Sequence, residues 1–313
     1  MKILIVGSTG ATGRLLVNQL LSKGHEVKAF ARNNKNFTDE TIRNKNLEII
    51  TSTVLDISDK ELEMHLDGCD AIVSTLGHNL SFKGMFGNPR QLVTDSIKKL
   101  CKASEYTKNK PVKIILMNTV GCKNEDLKEK VSFFENCVFF LLRYLIPPHS
   151  DNENAANYLR TLIGQNHSNI QWAVVRPDSL INEEEISPYT THLSPIHTLF
   201  KPGKTSRINV AHFISELASN NEIWSEWKGK MPVIYNKNDY YDWHIDNHSK
   251  PYDNGMVRKL SFTLCLNEDY EGGEFSFCTP HPVAEKTKIE KIEKPKKGTM
   301  IVFPSYTWHK VGK

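Results

Sequence analysis

Two groups of residues in this chain have the types and spacing to do chemistry. The first is Gly7-Ser-Thr-Gly10-Ala-Thr-Gly13, with three glycines at three-residue intervals directly after an apolar run. A turn of this kind can hold a phosphate, because bare glycines let the backbone come close and free N–H groups at a helix start point at the anion. The second group is His244-Ile-Asp246, with His309 far along the chain. Residues two apart on a strand share a face, so His244 and Asp246 can grip one metal. A third ligand from another strand completes a 2-His-1-carboxylate site with open positions for a substrate acid and oxygen.

The elements around the glycines suit that role. Lys2 to Val6 reads as a central parallel strand, Arg14 to Lys23 as a helix with Leu15, Leu16 and Leu20 on one side, and Glu26 to Phe30 as a second strand. Strand, glycine turn, helix and strand together form the context a dinucleotide cradle requires. Gly7 permits the tight turn, Gly10 the approach of a pyrophosphate and Gly13 close helix packing, with Thr9, Ala11 and Thr12 completing the loop. After the second strand an acidic residue would hold a ribose hydroxyl, but Ala31-Arg32 stands there with Lys35 nearby. Arg32 can pair with a 2′-phosphate, which favours NADP(H) over NAD(H); otherwise it is a solvated surface charge.

Further strands are expected at 47–52, 70–77, 112–118 and 170–175, and catalysis in such sheets belongs at their carboxyl ends. Asp56 is placed either to accept from an adenine amino group or to cap the helix over 58–66. Leu76 and Gly77 end the fourth strand in residues that let a ribose lie against backbone, and Asn118 ends the fifth. The fold class is therefore α/β, a Rossmann-like doubly wound parallel sheet. The pattern changes after Tyr235, where short strands punctuated by glycine and proline suggest a smaller, partial jelly-roll (double-stranded β-helix) domain. The domain limits read as 1–236 and 237–313.

Bulk properties narrow the class. The chain has 313 residues, enough for two domains, and a net charge of only +4 with no continuous basic stripe, so nucleic-acid binding is not indicated. Six scattered cysteines without a C-x-x-C pair suggest reduced thiols and a cytoplasmic setting. Met1 leads straight into a strand, so no signal peptide is expected. The most apolar run, Cys137 to Pro147, falls short of the ~20 residues needed to span a bilayer and reads as a core helix, so no membrane partner is expected.

Residues 1 to about 236 resemble the atypical short-chain dehydrogenase/reductases, the group with NmrA-like and flavin- or biliverdin-reductase-like members. The resemblance rests on the glycine motif, Ser74-Thr-Leu-Gly77, Val175-Arg-Pro177 and Ser206-Arg-Ile-Asn-Val-Ala211, with Asn209 where Asp is usual. The usual catalytic Tyr-x-x-x-Lys pair should follow strand five, but its one match, Tyr106 to Lys110, precedes it. His149, Asp151 and Glu153 are the substitutes available as acid or base, or else they cap the helix running to Ile163. The resemblance implies hydride transfer to a small acceptor such as a flavin, quinone or carbonyl. The other reading is a non-catalytic nucleotide sensor.

Residues from about 238 are similar to the prolyl-4-hydroxylase-like iron- and 2-oxoglutarate-dependent dioxygenases. The motifs are Tyr241-Asp-Trp-His-Ile-Asp246, Arg258 to Leu264, Tyr270-Glu-Gly-Gly-Glu-Phe275, Lys297 to Ser305 and Trp308-His309-Lys-Val311. By that resemblance His244, Asp246 and His309 hold Fe(II), and 2-oxoglutarate is the co-substrate. The family's basic anchor for 2-oxoglutarate would lie past Lys313, so metal binding is expected without oxygenase turnover. A partial jelly roll exposes strand edges, which docking or strand exchange in a homodimer would cover. The chain thus reads as a small-molecule reductase fused to a partial oxygenase module. The alternative is a hydroxylase whose first domain is a nucleotide-binding module.

Overall fold

In the computed structural model the described residues are 1–78, 81, 86–107, 111–129, 131–237, 245, 260–266, 274–279, 288–292 and 295–311. The chain divides into two compact units, Met1–Lys237 and Asn238–Lys313.

The first unit runs β1 (Lys2–Val6), α1 (Gly13–Ser22), β2 (Glu26–Ala31), α2 (Asp39–Ile42), β3 (Leu47–Thr51), α3 (Asp59–Leu66), β4 (Ala71–Ser74), α4 (Leu92–Ser104) and β5 (Val112–Met117). It continues through α5 (Phe133–Leu145), α6 (Pro147–Asn157), β6 (Ile170–Pro177), β7 (Ser179–Ile181), β8 (Tyr189–His192), β9 (Lys204–Ser206), α7 (Arg207–Ser219), α8 (Asn221–Trp227) and β10 (Val233–Asn236). Eight strands form one sheet in the order β3-β2-β1-β4-β5-β6-β10-β8. Its pairs are parallel from β3 to β10, and only β8 runs antiparallel, against β10. The strand order reverses between β1 and β4, the place where doubly wound sheets open a crevice for ligands.

The central strands are apolar because both faces are covered. Leu4, Ile72, Ile114 and Val174 face one core with α4 and α6, whereas Ile3, Ile5, Val73 and Val175 face the other with α1 and α7. This alternation within β1, β4 and β6 is the period of 2 expected of a strand.

The run expected to be a core helix is not one. α5 begins at Phe133, capped by Ser132, whose side chain accepts from Glu135 N while Glu135 reaches back to the Ser132 N–H. Only Glu135 and Phe139 are buried, and Phe133, Phe134, Phe140, Tyr144 and Leu145 are each more than half exposed. The reason is competition for the sheet: α6 presents Ala155 and Ala156, followed by Leu159, all fully buried against it. Small residues let α6 approach closely, and α5 lies outside it. No helix among the described residues is long and apolar enough to cross a membrane.

The described strands of the second unit are β11 (Leu260–Leu264), β12 (Phe275–Thr279), β13 (Lys288–Ile292), β14 (Met300–Pro304) and β15 (Trp308–Val311). They form an antiparallel pair, β11 with β14, and an antiparallel sheet in the order β13-β12-β15. Phe275, Ile301 and Phe303 form a small core to which both sheets contribute. β13 is charged and largely exposed.

Candidate functional site

The glycine turn joins β1 to α1 under tight steric constraint. Gly7 has φ +78°, and a Cβ there would lie 2.7 Å from Leu76 N and from the Thr75 carbonyl carbon. At Gly13 a Cβ would lie 2.2 Å from Gly7 O and 2.8 Å from Thr75 Oγ1. Gly10 differs, because its Cβ would meet only Gly7 O, at 3.2 Å. The protein therefore needs bareness at Gly7 and Gly13 for its own packing. At Gly10 the protein's own packing makes a weaker demand. Gly10 N donates to Gly7 O at 3.0 Å and Arg14 N to Gly10 O at 3.0 Å, so the N–H groups of Ala11, Thr12 and Gly13 precede the first bond of the helix, where a helix start can accept an anion. Ser8 Oγ donates to Phe30 O at 2.6 Å and Asn36 Nδ2 to Thr9 O at 3.1 Å, fixing the loop against β2. Thr12, at the N-cap of α1, is buried.

The other residues expected at the cofactor lie along the carboxyl ends of the strands. Arg32 follows β2, exposed, with no ion pair among the described residues. Asp56 takes a hydrogen bond from Thr53 Oγ1 at 2.6 Å and does not cap α3; that role falls to Ser58, in a capping box with Glu61. Among the described residues nothing lies within 4 Å of a Cβ position at Gly77, just past β4, and Leu76 packs on the core. Asn118 is buried and committed: its Nδ2 donates to Asn152 O at 2.8 Å and its Oδ1 accepts from Thr119 N at 2.8 Å. Ser206, not Asn209, caps α7, and Asn209 Nδ2 donates to Ser187 Oγ and Asn236 Oδ1 at 2.9 Å each. An aspartate could not donate those bonds, which accounts for asparagine at this position.

Of the three acid–base candidates, Asp151 and Glu153 are bound to other elements of the fold. Asp151 does not cap its own helix. It accepts from Val93 N at 2.8 Å and Thr94 N at 2.9 Å, so it caps α4, and it pairs with His78 Nε2 at 2.8 Å. Glu153 takes a two-pronged bond from Arg143 on α5, at 2.7 and 2.8 Å. His149 stacks on Phe139, and its Nε2 lies 3.5 Å from Glu153 Oε1, close enough for charge attraction but too long for a well-formed bond. Burial pushes the Glu153 carboxyl up, but Arg143 and His149 outweigh it and lower its pKa from 4.5 to about 2. A depressed carboxylate stabilises the fold above its unfolded pKa and loses that contribution as pH falls through the folded value. Unfolding free energy should therefore drop by about 3 kcal/mol between pH ~5 and pH ~2 on account of this group. In Glu153→Gln that part of the acid slope should vanish, as urea titrations at several pH values would show.

A cavity of about 130 Å³ opens at the same edge of the sheet, past the carboxyl ends of β5 and β6. Val120, Phe139 and Leu199 give it apolar walls; Lys123, Asp178 and His197 supply polar groups. Two further carboxylates at its wall are already engaged. Glu129 is bonded to Arg176 at 2.7 and 2.9 Å, and Glu135 accepts from Leu199 N at 2.8 Å. Asp178 Oδ2 accepts from Gly203 N at 2.8 Å. Burial raises the Asp178 pKa, opposed by the N–H groups of Gly203 and Ser179 and by His197. A Cβ on Gly203 would meet Tyr235 at 2.4 Å and His197 at 2.6 Å, so a bare residue lets those two rings pack edge to face, 4.8 Å apart.

In the second unit His309 is buried among Phe275, Phe277 and Phe303, stacked on Phe275 at 5.6 Å. Its Nδ1 lies 3.0 Å from Thr307 O. A carbonyl only accepts, so Nδ1 carries the proton there, and Nε2 is the ring nitrogen through which a metal-binding histidine so oriented would ligate. His244 and Asp246 lie outside the described residues, and no group of metal-binding side chains occurs among the described ones.

Comparison with known proteins matches residues 7–221 to the NAD(P)H-binding family and residues 231–313 to the 2OG-Fe(II) oxygenase superfamily. The chain belongs to the NAD(P)H-binding family. An uncharacterized chloroplastic protein from Arabidopsis thaliana is 32% identical over 81 residues, which is 26% of this chain and 29% of that protein. The chain thus spans less than a third of the curated relative it matches. Among solved structures, the oxidoreductase ylbE from Lactococcus lactis is similar at 23% identity and TM-score 0.53, covering 76% of this chain and 91% of that one. A short-chain dehydrogenase/reductase from Veillonella parvula in complex with NADP is similar at 16% identity and TM-score 0.55, covering 76% and 95%. These likenesses establish the fold of the first unit. The two families imply NAD(P)H for that unit, and Fe(II) with 2-oxoglutarate for the oxygenase-like unit that follows it.

Within the NAD(P)H-binding unit, sequence reasoning missed Asp178, His197 and Lys123. Asp178 directly follows the Val175-Arg-Pro177 segment at the end of β6, so the rule that catalysis sits at strand carboxyl ends could have found it. Nothing local distinguishes His197, in an irregular segment, from a surface histidine.

Proposed function

We propose that the first unit is an NADP(H)-dependent reductase of a small acceptor, joined to an iron/2-oxoglutarate oxygenase-like module. The glycine turn carries this reading. The protein itself excludes side chains at Gly7 and Gly13, and the space left at Gly10 suits a pyrophosphate. Thr9, Ala11 and Thr12 complete the phosphate loop. Arg32 pairs with a 2′-phosphate, Asp56 accepts from the adenine amino group, and Leu76 and Gly77 leave room for a ribose. Asn118 holds the end of β5 to α6 beside that crevice. When bound, the reduced nicotinamide supplies a hydride. The cavity between Phe139 and Asp178 receives the acceptor. In the second module His244, Asp246 and His309 would hold Fe(II), with the His309 tautomer already set by Thr307.

Arg32→Ala should weaken NADPH about tenfold, roughly 1.4 kcal/mol, and leave NADH nearly unchanged, as fluorescence titration of each cofactor would show. Equal losses for both would remove the phosphate pairing. The reductase reading itself requires NADPH oxidation with an artificial acceptor. Tight NADPH binding with no oxidation by any acceptor would leave a nucleotide-binding module instead.

A further inference from the structure

We propose that the outer face of α5 is where a second copy of this chain docks, so that the protein forms a two-fold dimer through paired α5 helices. This contact is independent of the reductase reading.

Spacing gives the first argument. Phe134, Cys137, Leu141 and Tyr144 recur at intervals of three, four and three residues, the seam spacing of two helices packed side by side. Phe133 and Phe140 flank this seam on one side, and Val138 and Leu145 on the other. Phe133, Phe134, Phe140, Leu141, Tyr144 and Leu145 are between 54% and 77% exposed. The two buried residues of α5, Glu135 and Phe139, lie on the opposite side, and both wall the cavity. One face of the helix thus serves its own unit. The other carries a packing pattern that its own unit leaves exposed.

Area gives the second. With about 200 Å² for a full aromatic side chain, the six exposed residues present on the order of 700 Å² of apolar surface. The largest apolar patch on an ordinary monomer is about 300–600 Å². A standard protein–protein interface buries about 800 Å² on each partner. The α5 stripe exceeds the first figure and nearly reaches the second, so it is the size of one half of a stable dimer contact.

Charge selects the occupant. The stripe carries no charged side chain. The two charges of α5 are turned to its own unit: Glu135 accepts from Ser132 Oγ and Leu199 N, and Arg143 forks onto Glu153. An acidic or basic partner therefore finds no complement here, whereas an identical uncharged stripe does. The chain on either side, Asn124-Glu-Asp-Leu-Lys-Glu-Lys130 and Pro147-Pro-His-Ser-Asp151, has no excess of Lys or Arg to draw this face to anionic lipid headgroups. A two-fold contact is self-complementary. With the helices antiparallel, Phe134 meets the partner's Tyr144, Cys137 lies beside the partner's Leu141, and the unlike ends of the helix dipoles come together.

The test uses the full chain and its own thiol. Cys137 lies mid-seam and is the only exposed one of the six cysteines. Helices packed this way lie about 8–10 Å apart, so a bismaleimide with a spacer of about 10 Å reaches between the two Cys137 thiols of a dimer. Sedimentation equilibrium at micromolar concentration should give a dimer. The bismaleimide should give a covalent dimer in wild type and none in Cys137→Ser. Phe134→Glu combined with Leu141→Glu should keep the helical circular dichroism, since both side chains are exposed, and should raise the dimer Kd about 100-fold or more. A monomeric wild type overturns the proposal, whether or not it floats with phosphatidylcholine vesicles. So does a dimer that survives the double substitution, or a cross-link that persists in Cys137→Ser. If the double variant does not fold, the Cys137 cross-link in wild type decides alone.

Discussion

Replacing Arg176 by methionine is expected to cost the first unit about 3–5 kcal/mol of stability, a large share of the ~5–15 kcal/mol typical of a folded domain. The guanidinium is fully buried in β6 and all its donors are used. Nε bonds Met231 O at 2.8 Å; Nη1 bonds Cys122 O and Glu129 at 2.9 Å each; Nη2 bonds Glu129 at 2.7 Å and Leu193 O at 3.0 Å. One side chain thus ties the loop after β5, the segment after β8 and the approach to β10 together, and the first two of these segments wall the cavity. Methionine fills the volume but leaves the Glu129 carboxylate buried without its partner, which is the expensive part. The double variant Arg176→Met, Glu129→Met should recover much of the loss because it removes the orphaned charge. Arg176→Lys should remain strongly destabilised, since an ammonium cannot reproduce the planar fork. Urea unfolding of the three variants measures all of this. A loss below about 1 kcal/mol in Arg176→Met would mean the network contributes little beyond surface pairs.

Gly13→Ala should abolish tight dinucleotide binding, with an affinity loss on the order of 100-fold, or roughly 3 kcal/mol. The new methyl would sit 2.2 Å from Gly7 O, and that carbonyl also accepts from Gly10 N at 3.0 Å and Thr75 Oγ1 at 3.1 Å. The start of α1 must move, and the turn that aims N–H groups at the phosphates moves with it. Gly10→Ala separates binding from folding. Its methyl meets protein only at 3.2 Å, so stability should fall little while NADPH affinity falls steeply. Calorimetric titration with NADPH beside thermal unfolding distinguishes the two. Equal stability losses at Gly10 and Gly13, with affinity spared, would mean the turn serves packing alone.

Much of this was legible in the sequence, element by element. The runs at β1, β4, β5 and β6 are predominantly apolar on both faces, as strands covered on both sides require. Three glycines between such a strand and a helix carry a steric requirement that follows from the residue types and their spacing alone. The apolar run of α5 misled for a related reason: hydrophobicity says that a face is available for packing, not what will pack there. Once α6 placed Ala155 and Ala156 on the sheet, α5 had no core left to enter.

The polar residues divide in the same way. His149, Asp151 and Glu153 are sound acid–base candidates by type and position, yet their roles depend on Val93, Thr94 and Arg143, which are distant in sequence or on another helix. Lys123, Asp178 and His197 carry no shared motif and meet only because the loops after β5 and β6 converge with the segment after β8. The sequence by itself determined the parallel sheet and the phosphate turn, because side-chain period and the absence of Cβ atoms act within a few residues. Only the tertiary structure decided which carboxylates are spent on helix N–H groups and guanidinium partners and which stand at the cavity wall. Hydrogen-bond saturation and burial depend on neighbours the chain brings together from far apart.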